Sequence, residues 1–251
     1  MNYQIDEGRI IVALLLCAAL SIYAYHKGIL DYRGTASAFV IGMLISLASD
    51  ITWLVLLLFF MIAGFIVTKY KIDEKIKNNV SQGMTGKRGV KNVIGNALIP
   101  TGIAFLYIFN NADIIPIVYA IAIATATSDT FASEIGVTSK RAYNIIKPWK
   151  RVKPGTDGGI SIKGEIASLF GSFISALTAM ILFDILWKGK GIISISMLFF
   201  ITLIGFIGCQ IDSLLGITLQ KRKILNNNSV NHVAIALASL IGFIIYLIIN
   251  F

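Results

Sequence analysis

The chain has 251 residues, of which 56% are apolar and only 14% charged, with a mean hydropathy of +0.79. Soluble domains carry about 25% charged residues, and one core of this size cannot hide so much apolar surface from water. A water-soluble globule is excluded, and the net charge of +9 must be explained in a protein whose solvent is lipid.

A bilayer core about 30 Å thick asks for roughly 20 apolar residues per helix. Eight segments approach that requirement, at 10–25, 35–49, 51–67, 96–109, 114–127, 166–187, 192–219 and 232–251. The second, fourth and fifth are short, so they are expected to be tilted, re-entrant or longer than their apolar runs. The first run follows Asp6, Glu7 and Arg9 and lacks a basic leader, and Leu16 before Cys17 is too bulky for a lipoprotein cleavage site, so it reads as a retained helix. Cys17 and Cys209 lie inside apolar runs, which leaves neither a disulfide framework nor a zinc cluster. The expected fold is an all-α polytopic membrane protein forming a single domain over residues 1–251, with no domain boundary, low-complexity tract or internal repeat.

Lys and Arg accumulate in the cytoplasmic loops of membrane proteins. The loops after the first, third, fifth and seventh spans hold 2, 7, 7 and 3 of the 22 such residues. Those loops are therefore assigned to the cytoplasm, and both termini to the other side of the cell membrane. The basic charge is a topology signal that also supplies cations for an anion site; no nucleic-acid partner is expected.

The two long loops, 68–95 and 128–165, are cytoplasmic in this arrangement. In the first, residues 69–78 place Ile72 and Ile76 four apart, predicting a short interfacial helix with a solvated face and no chemistry. Gly86, Lys87, Arg88 and Gly89 look like a P-loop, but the spacing from Gly83 is two residues short and Arg88 stands where Ser or Thr must hold magnesium. A Walker-type ATPase is excluded. The unusual polar residues then fall on one edge: Asn96; Ser128, Asp129, Thr130, Ser133 and Glu134; Glu165; Gln210, Asp212 and Ser213; and Asn227, Asn228 and Asn231. The opposite edge has only Asp50, Asp113 and Asp184, read as solvated helix ends. A one-sided cluster argues for an enzyme at one interface, since transporters place polar residues near the midplane.

Three segments carry the chemistry. In SDTFASEIG, Ala132 and Gly136 lie within about 60° of Asp129 on a continuing helix, giving a face with one anion and no bulk. A base, sugar or phosphate can approach such a face, with Asp129 available to a bridging divalent ion; the alternative is helix packing through small residues. Glu134 is about 140° away, and its role is left open. In KPGTDGGISIKGE, Gly155, Gly158 and Gly159 surround Thr156 and Asp157 after Lys147, Lys150, Arg151 and Lys153, either as a phosphate cradle or as a plain turn. In GCQIDSLLGITLQ, Gly208, Asp212 and Gly216 form one stripe, and a carboxylate inside a span is expensive unless it pairs or binds a cation. Asn227, Asn228 and Asn231 follow, with Asn228 also suited to start the eighth span as a cap.

These motifs resemble the CTP-dependent polyprenol kinases, whose D-x-x-A-x-x-x-G pattern is met by Asp129, Ala132 and Gly136. The longer series SDTFASEIG, PGTDGG, DSLLG with LQ, and NNNSVN is similar to the integral membrane family that includes the phytyl-phosphate kinases. It covers residues 96–231, and GTASAFVIG after Arg33 resembles that family's second helix. Two positions depart from the pattern: Phe131 replaces a Trp, and Asp157 replaces an Asn.

The resemblance implies transfer of the γ-phosphoryl of CTP to an isoprenyl monophosphate such as phytyl or geranylgeranyl phosphate, with Mg2+ as cofactor. The implied catalytic residues are Asp129, Glu134 and Asp212, and the implied metal ligands Asp129, Asp212 and Asp157. The nucleotide and phosphates are expected against Ala132, Ser133, Gly136, Lys87, Arg88, Lys153, Gly155, Thr156, Gly158, Gly159, Asn96, Asn228 and Asn231. A phosphate acceptor already carries between one and two negative charges near neutral pH, so the reaction asks for charge neutralisation more than for a base. The apolar tail is expected between helices open to the membrane lipids. A homo-oligomer is compatible with such a bundle. The competing functions are a lipid-phosphate cytidylyltransferase, which uses similar acids but releases pyrophosphate, and a transporter or lipid flippase.

Overall fold

The computed structural model describes residues 7–78, 89–186 and 192–249. Within them lie nine α-helices: α1 (Glu7–His26), α2 (Tyr32–Ala48), α3 (Ile51–Lys69), α4 (Ile72–Lys77), α5 (Val90–Phe109), α6 (Ile114–Gly136), α7 (Ile162–Ile181), α8 (Ile195–Leu215) and α9 (Asn227–Ile249). All but α4 correspond to the eight expected spans. Six of these are long and apolar enough to cross a membrane, while α1 and α2 offer the shorter apolar stretches Ile10–His26 and Tyr32–Ala48. Leu15, Phe109, Ile166, Leu203 and Ile248 stand exposed around the bundle, which suits lipid and not water. α5 and α6 reach 20 and 23 residues because polar residues carry each helix beyond its apolar run. α4 is the short helix expected within residues 69–78.

α6 is the central helix and packs on α3, α5, α7, α8 and α9. Its interior face is small, and α8 meets it with glycines. A Cβ added at Gly208 would lie 2.4 Å from Thr125 Cγ2, and one at Gly205 would lie 2.8 Å from Ala124 Cβ. Lipid tails are as apolar as leucine, so helices associate in a membrane through such close packing and through interhelical hydrogen bonds. Ser128 Oγ meets Ser168 Oγ at 2.7 Å between α6 and α7, and Ser172 Oγ donates to the Thr202 carbonyl at 2.7 Å between α7 and α8.

At one end of the bundle Trp53 sits among Tyr119, Tyr107 and Phe183, with ring centroids 4.7, 5.2 and 5.6 Å away. The buried Tyr119 hydroxyl donates to the Trp53 carbonyl at 2.8 Å. Asp50 caps α3 by accepting from Thr52 N at 3.0 Å, and Asp184 accepts from Ile193 N at 3.1 Å, so these two acids do serve helix ends. Ten residues separate Tyr119 from Asp129, a rise of about 15 Å. The aromatic cluster closes one end and leaves the polar residues to the other.

Between α6 and α7 runs a small antiparallel sheet of order β2-β1-β3: β1 (Ala142–Asn144), β2 (Arg151–Val152) and β3 (Gly159–Ile160). Tyr143 lies between Arg151 and Ile160, and Ala142 opposite Val152. The sheet adds to the helical fold read from the sequence; strands of two or three residues are too short to leave an alternation signal.

Candidate active site

The polar ends of α5, α6, α7, α8 and α9, together with the glycine loop, converge on a cleft of about 280 Å³. Asp212 on α8 and Asp129 on α6 both line this cleft, close enough for their carboxyls to act on one another directly. Two neighbouring carboxylates repel, and a proton or a cation between them relieves that repulsion. Asn231, turned so that its amide nitrogen faces the acids, donates to Asp212 Oδ2 at 3.2 Å and to the Asn227 carbonyl at 2.9 Å. Asn96 stands 3.5 Å from Asn231 and donates to the Asn92 carbonyl at 2.9 Å. One turn beyond Asp212 the helix widens into a π-helical turn, Gly216–Gln220, a departure from regular helix that is frequent at functional sites.

The glycine loop seats on this widened turn. Gly155 and Gly158 have φ of 84° and 69°, the left-handed region open to glycine at little cost. A Cβ at Gly158 would lie 2.4 Å from Ile217 Cβ and 3.0 Å from the Ser213 carbonyl, so the close approach also requires glycine. Thr156 donates through both its amide (3.1 Å) and its hydroxyl (2.6 Å) to the Lys153 carbonyl, and Gly159 N donates to the Thr156 carbonyl at 2.8 Å. The Thr156 hydroxyl thus shapes the turn. Asp157 Oδ1 accepts from Gln220 Nε2 at 3.0 Å, which holds this carboxylate at the rim. Lys153 is exposed and stands outside the cleft lining.

Glu134 also lines the cleft, but its carboxylate is held by α3 and α4. Its Oε1 accepts from the Thr68 hydroxyl at 3.0 Å and its Oε2 from Lys75 Nζ at 2.7 Å. Lys75 Nζ also donates to the carbonyls of Val67 and Thr68 at 3.0 and 3.1 Å, satisfying the last turn of α3. Lys75 is 1% exposed and Glu134 3%. The expectation that α4 carries only a solvated face is therefore corrected: its Lys75 reaches inward and fastens α3 and α4 to α6. The outward face does match, with Lys71 and Glu74 paired at 2.8 Å in solvent. Their hydrogen bond, and then their mutual attraction, hold the Glu74 carboxyl below and the Lys71 ammonium above their ordinary ranges.

The small face of α6 serves both readings offered for it. Ala132 and Gly136 line the cleft, but a Cβ at Gly164 would lie 3.2 Å from the Ala132 carbonyl and 3.3 Å from Gly136 Cα. Their closest neighbour is thus α7, whose N-cap Ser161 accepts from Gly164 N at 3.2 Å. Ser133 Oγ donates back to the Thr130 carbonyl at 3.2 Å. Asn228 stands apart from the lining, against Gly95 on the seam of α5 and α9. Lys87 and Arg88 lie outside the described residues.

The charge of the cleft is one-sided. Asp129, Glu134, Asp157, Glu165 and Asp212 line it, and among the described residues no Lys or Arg does, although Glu134 is paired with Lys75. Glu165 Oε2 accepts from Gln210 Nε2 at 2.9 Å. Among the described residues no three His, Cys, Asp or Glu side chains group as a metal cage. One or two carboxylates completed by substrate oxygens and water usually hold magnesium, whereas calcium takes six to eight oxygens from carboxylates, carbonyls and water. Some residues carry no signal in the sequence, among them Lys75, whose neighbours on α4 are solvated, and Asn92, which lines the cleft one turn before Asn96 and precedes the apolar run.

Residues 15–239 match the family described as Integral membrane protein DUF92. The chain is 33% identical over 239 residues to an uncharacterized membrane protein of Methanocaldococcus jannaschii, covering 95% of this chain and 94% of the relative. It is 27% identical over 223 residues to the chloroplastic protein VTE6 of Arabidopsis thaliana, covering 86% and 65%. It is also 27% identical over 278 residues to protein PGR of the same plant, covering 93% and 94%. No solved structure matches the chain significantly. A family match that takes in nearly every span and all the residues of the cleft makes this chain a member of the DUF92 family of integral membrane proteins.

Proposed function

We propose that the chain is a magnesium-dependent kinase that transfers the γ-phosphoryl of CTP to an isoprenyl monophosphate at the cytoplasmic face of the cell membrane, with both termini on the other side. The observation that carries this is that Asp129 and Asp212 share a polar cleft whose described lining has acids and carboxamides but no Lys or Arg. Such a cleft repels phosphates until a divalent ion enters, and binds them once it has. The resemblance of the surrounding motifs to the phytyl-phosphate kinase family, and the similarity to protein VTE6, support the choice of substrates.

Asp129 and Asp212 would hold the magnesium, whose charge would neutralise the phosphates of donor and acceptor. Asn96 and Asn231 offer neutral amides to phosphate or ribose oxygens without adding negative charge. Asp157, tied to Gln220, sets the rim, and the turn from Lys153 to Gly159 keeps the loop closed on α8. In the reaction an oxygen of the lipid phosphate bonds to the γ-phosphorus, the bond from that phosphorus to the bridging oxygen breaks, and CDP leaves. The acceptor oxygen is already ionised, so no side chain has to take its proton.

The test is to incubate the purified protein with Mg2+, a C20 isoprenyl monophosphate and γ-labelled CTP, with labelled ATP in parallel. Label in the lipid that disappears in Asp129→Asn supports the proposal. Release of pyrophosphate with CMP left on the lipid would replace it with a cytidylyltransferase, and no transfer by folded protein with either donor would overturn it.

A further inference from the structure

Beside the polar cleft lies a second, apolar hollow of about 60 Å³, formed where α1, α2, α3 and α5 meet. Its wall includes Cys17, Ala38, Leu57, Met61 and Val93, and Ser21 supplies one of its few polar groups. Cys17 is only 4% exposed, so this is an inward recess of the bundle and not part of its lipid-facing surface. Gly42 contributes to the opening, since a Cβ there would lie 2.9 Å from Cys17 Sγ. Asn92 lines both this hollow and the acidic cleft. The apolar recess and the place where phosphates would bind therefore flank one and the same residue.

We infer that this recess holds the first part of the hydrocarbon tail of the lipid phosphate, with Asn92 at the junction of head and tail. The inference rests on the kinase reading for the identity of the head group. A water needs about 10–15 Å³ of such space, so 60 Å³ accepts roughly four to six methyl-sized groups. That is about one isoprene unit, and the remainder of a C20 tail would run outward between helices into lipid. The recess would thus select a phosphate carried directly on a single hydrocarbon chain. A diacylglycerol phosphate, with a polar, branched glycerol ester at that position, would leave its ester oxygens against Leu57 and Val93 without partners.

Binding can be read without catalysis. A C20 isoprenyl monophosphate carrying a diazirine in its first isoprene unit is photolysed with the full-length protein in bilayer nanodiscs, and the labelled peptides are identified. Label is expected on the recess-lining segments of α1, α2, α3 or α5, and unlabelled C20 monophosphate should displace it while phosphatidylcholine should not. Ala38→Phe should raise the KM for the lipid about tenfold and weaken the labelling while leaving the KM for CTP in place; Ser21→Leu serves if the first variant does not fold. Label confined to the outer surface, equal displacement by phosphatidylcholine, or an unchanged lipid KM in folded variants would overturn the inference. Labelled recess without phosphoryl transfer would sink the kinase reading alone, and transfer without label in the recess would sink this inference alone.

Discussion

Replacing Lys75 by Met keeps the length and most of the volume of the side chain, so its effect isolates the charge. The wild-type ammonium meets Glu134 Oε2 at 2.7 Å and two carbonyls of α3 at 3.0 and 3.1 Å. In Lys75→Met those carbonyls lose their partner, and the buried Glu134 carboxylate keeps the Thr68 hydroxyl at 3.0 Å. One-sided removal of a buried ion pair costs about 3–5 kcal/mol, or more than about 100-fold in the folding equilibrium. Glu134→Gln should cost less, about 1–3 kcal/mol, because the ammonium retains three oxygen acceptors. The double variant Lys75→Met/Glu134→Gln removes both charges and should be more stable than Lys75→Met alone. Reversible unfolding in mixed micelles, followed by helical circular dichroism, measures all three. Hydrogen bonds between membrane helices average only about 0.6 kcal/mol, so the size of the loss identifies the pair as ionic. A Lys75→Met protein within about 0.5 kcal/mol of wild type, or a double variant worse than the single, would refute the argument.

Other perturbations address the cleft and the helix seams. Asp129→Asn and Asp212→Asn should each lower phosphoryl transfer by about 10²–10³, as loss of a group that stabilises developing charge does elsewhere; comparable rates in either variant would remove that residue from the metal site. With divalent ions chelated, Asp212→Asn should gain about 1 kcal/mol in thermal unfolding, because it removes one of two neighbouring carboxylates that repel in the cleft. Chelation by itself should abolish transfer in the wild type, with recovery on adding Mg2+. Gly208→Val drives a side chain into Thr125 and Ala238, 2.4 and 2.9 Å from its Cβ, and should lose about 1–3 kcal/mol or more by the same unfolding assay. Gly158→Ala combines a φ of +69° with a Cβ 2.4 Å from Ile217; it should unseat the loop and raise the KM for CTP, with helix content unchanged.

The eight spans, the separation of basic from non-basic loops and the three motif segments are local properties, which is why they can be read along the chain. Apolar length, charge counts and the spacing of Asp129, Ala132 and Gly136 involve neighbours within one helix or loop. The need for glycine at position 158 was legible only as a cluster of glycines; its cause, the approach to Ile217, is not. Lys75 looked like one more cation on a solvated helix, because nothing within ten residues reveals that Glu134, 59 positions away, receives it. Asn92 fell in a loop because a helix can run past its apolar stretch wherever other helices or water satisfy its polar side chains. The convergence of Asp129 and Asp212 on one cleft, the filling of the Gly136 face by Gly164, and the placing of Asn92 between recess and cleft arise from helices crossing at particular depths. Sequence determined which residues must be buried in lipid and which are too costly to be there without purpose. Tertiary structure alone decided which of those costly groups meet, because their electrostatic energies depend on separations of a few ångströms between residues that the chain itself holds far apart.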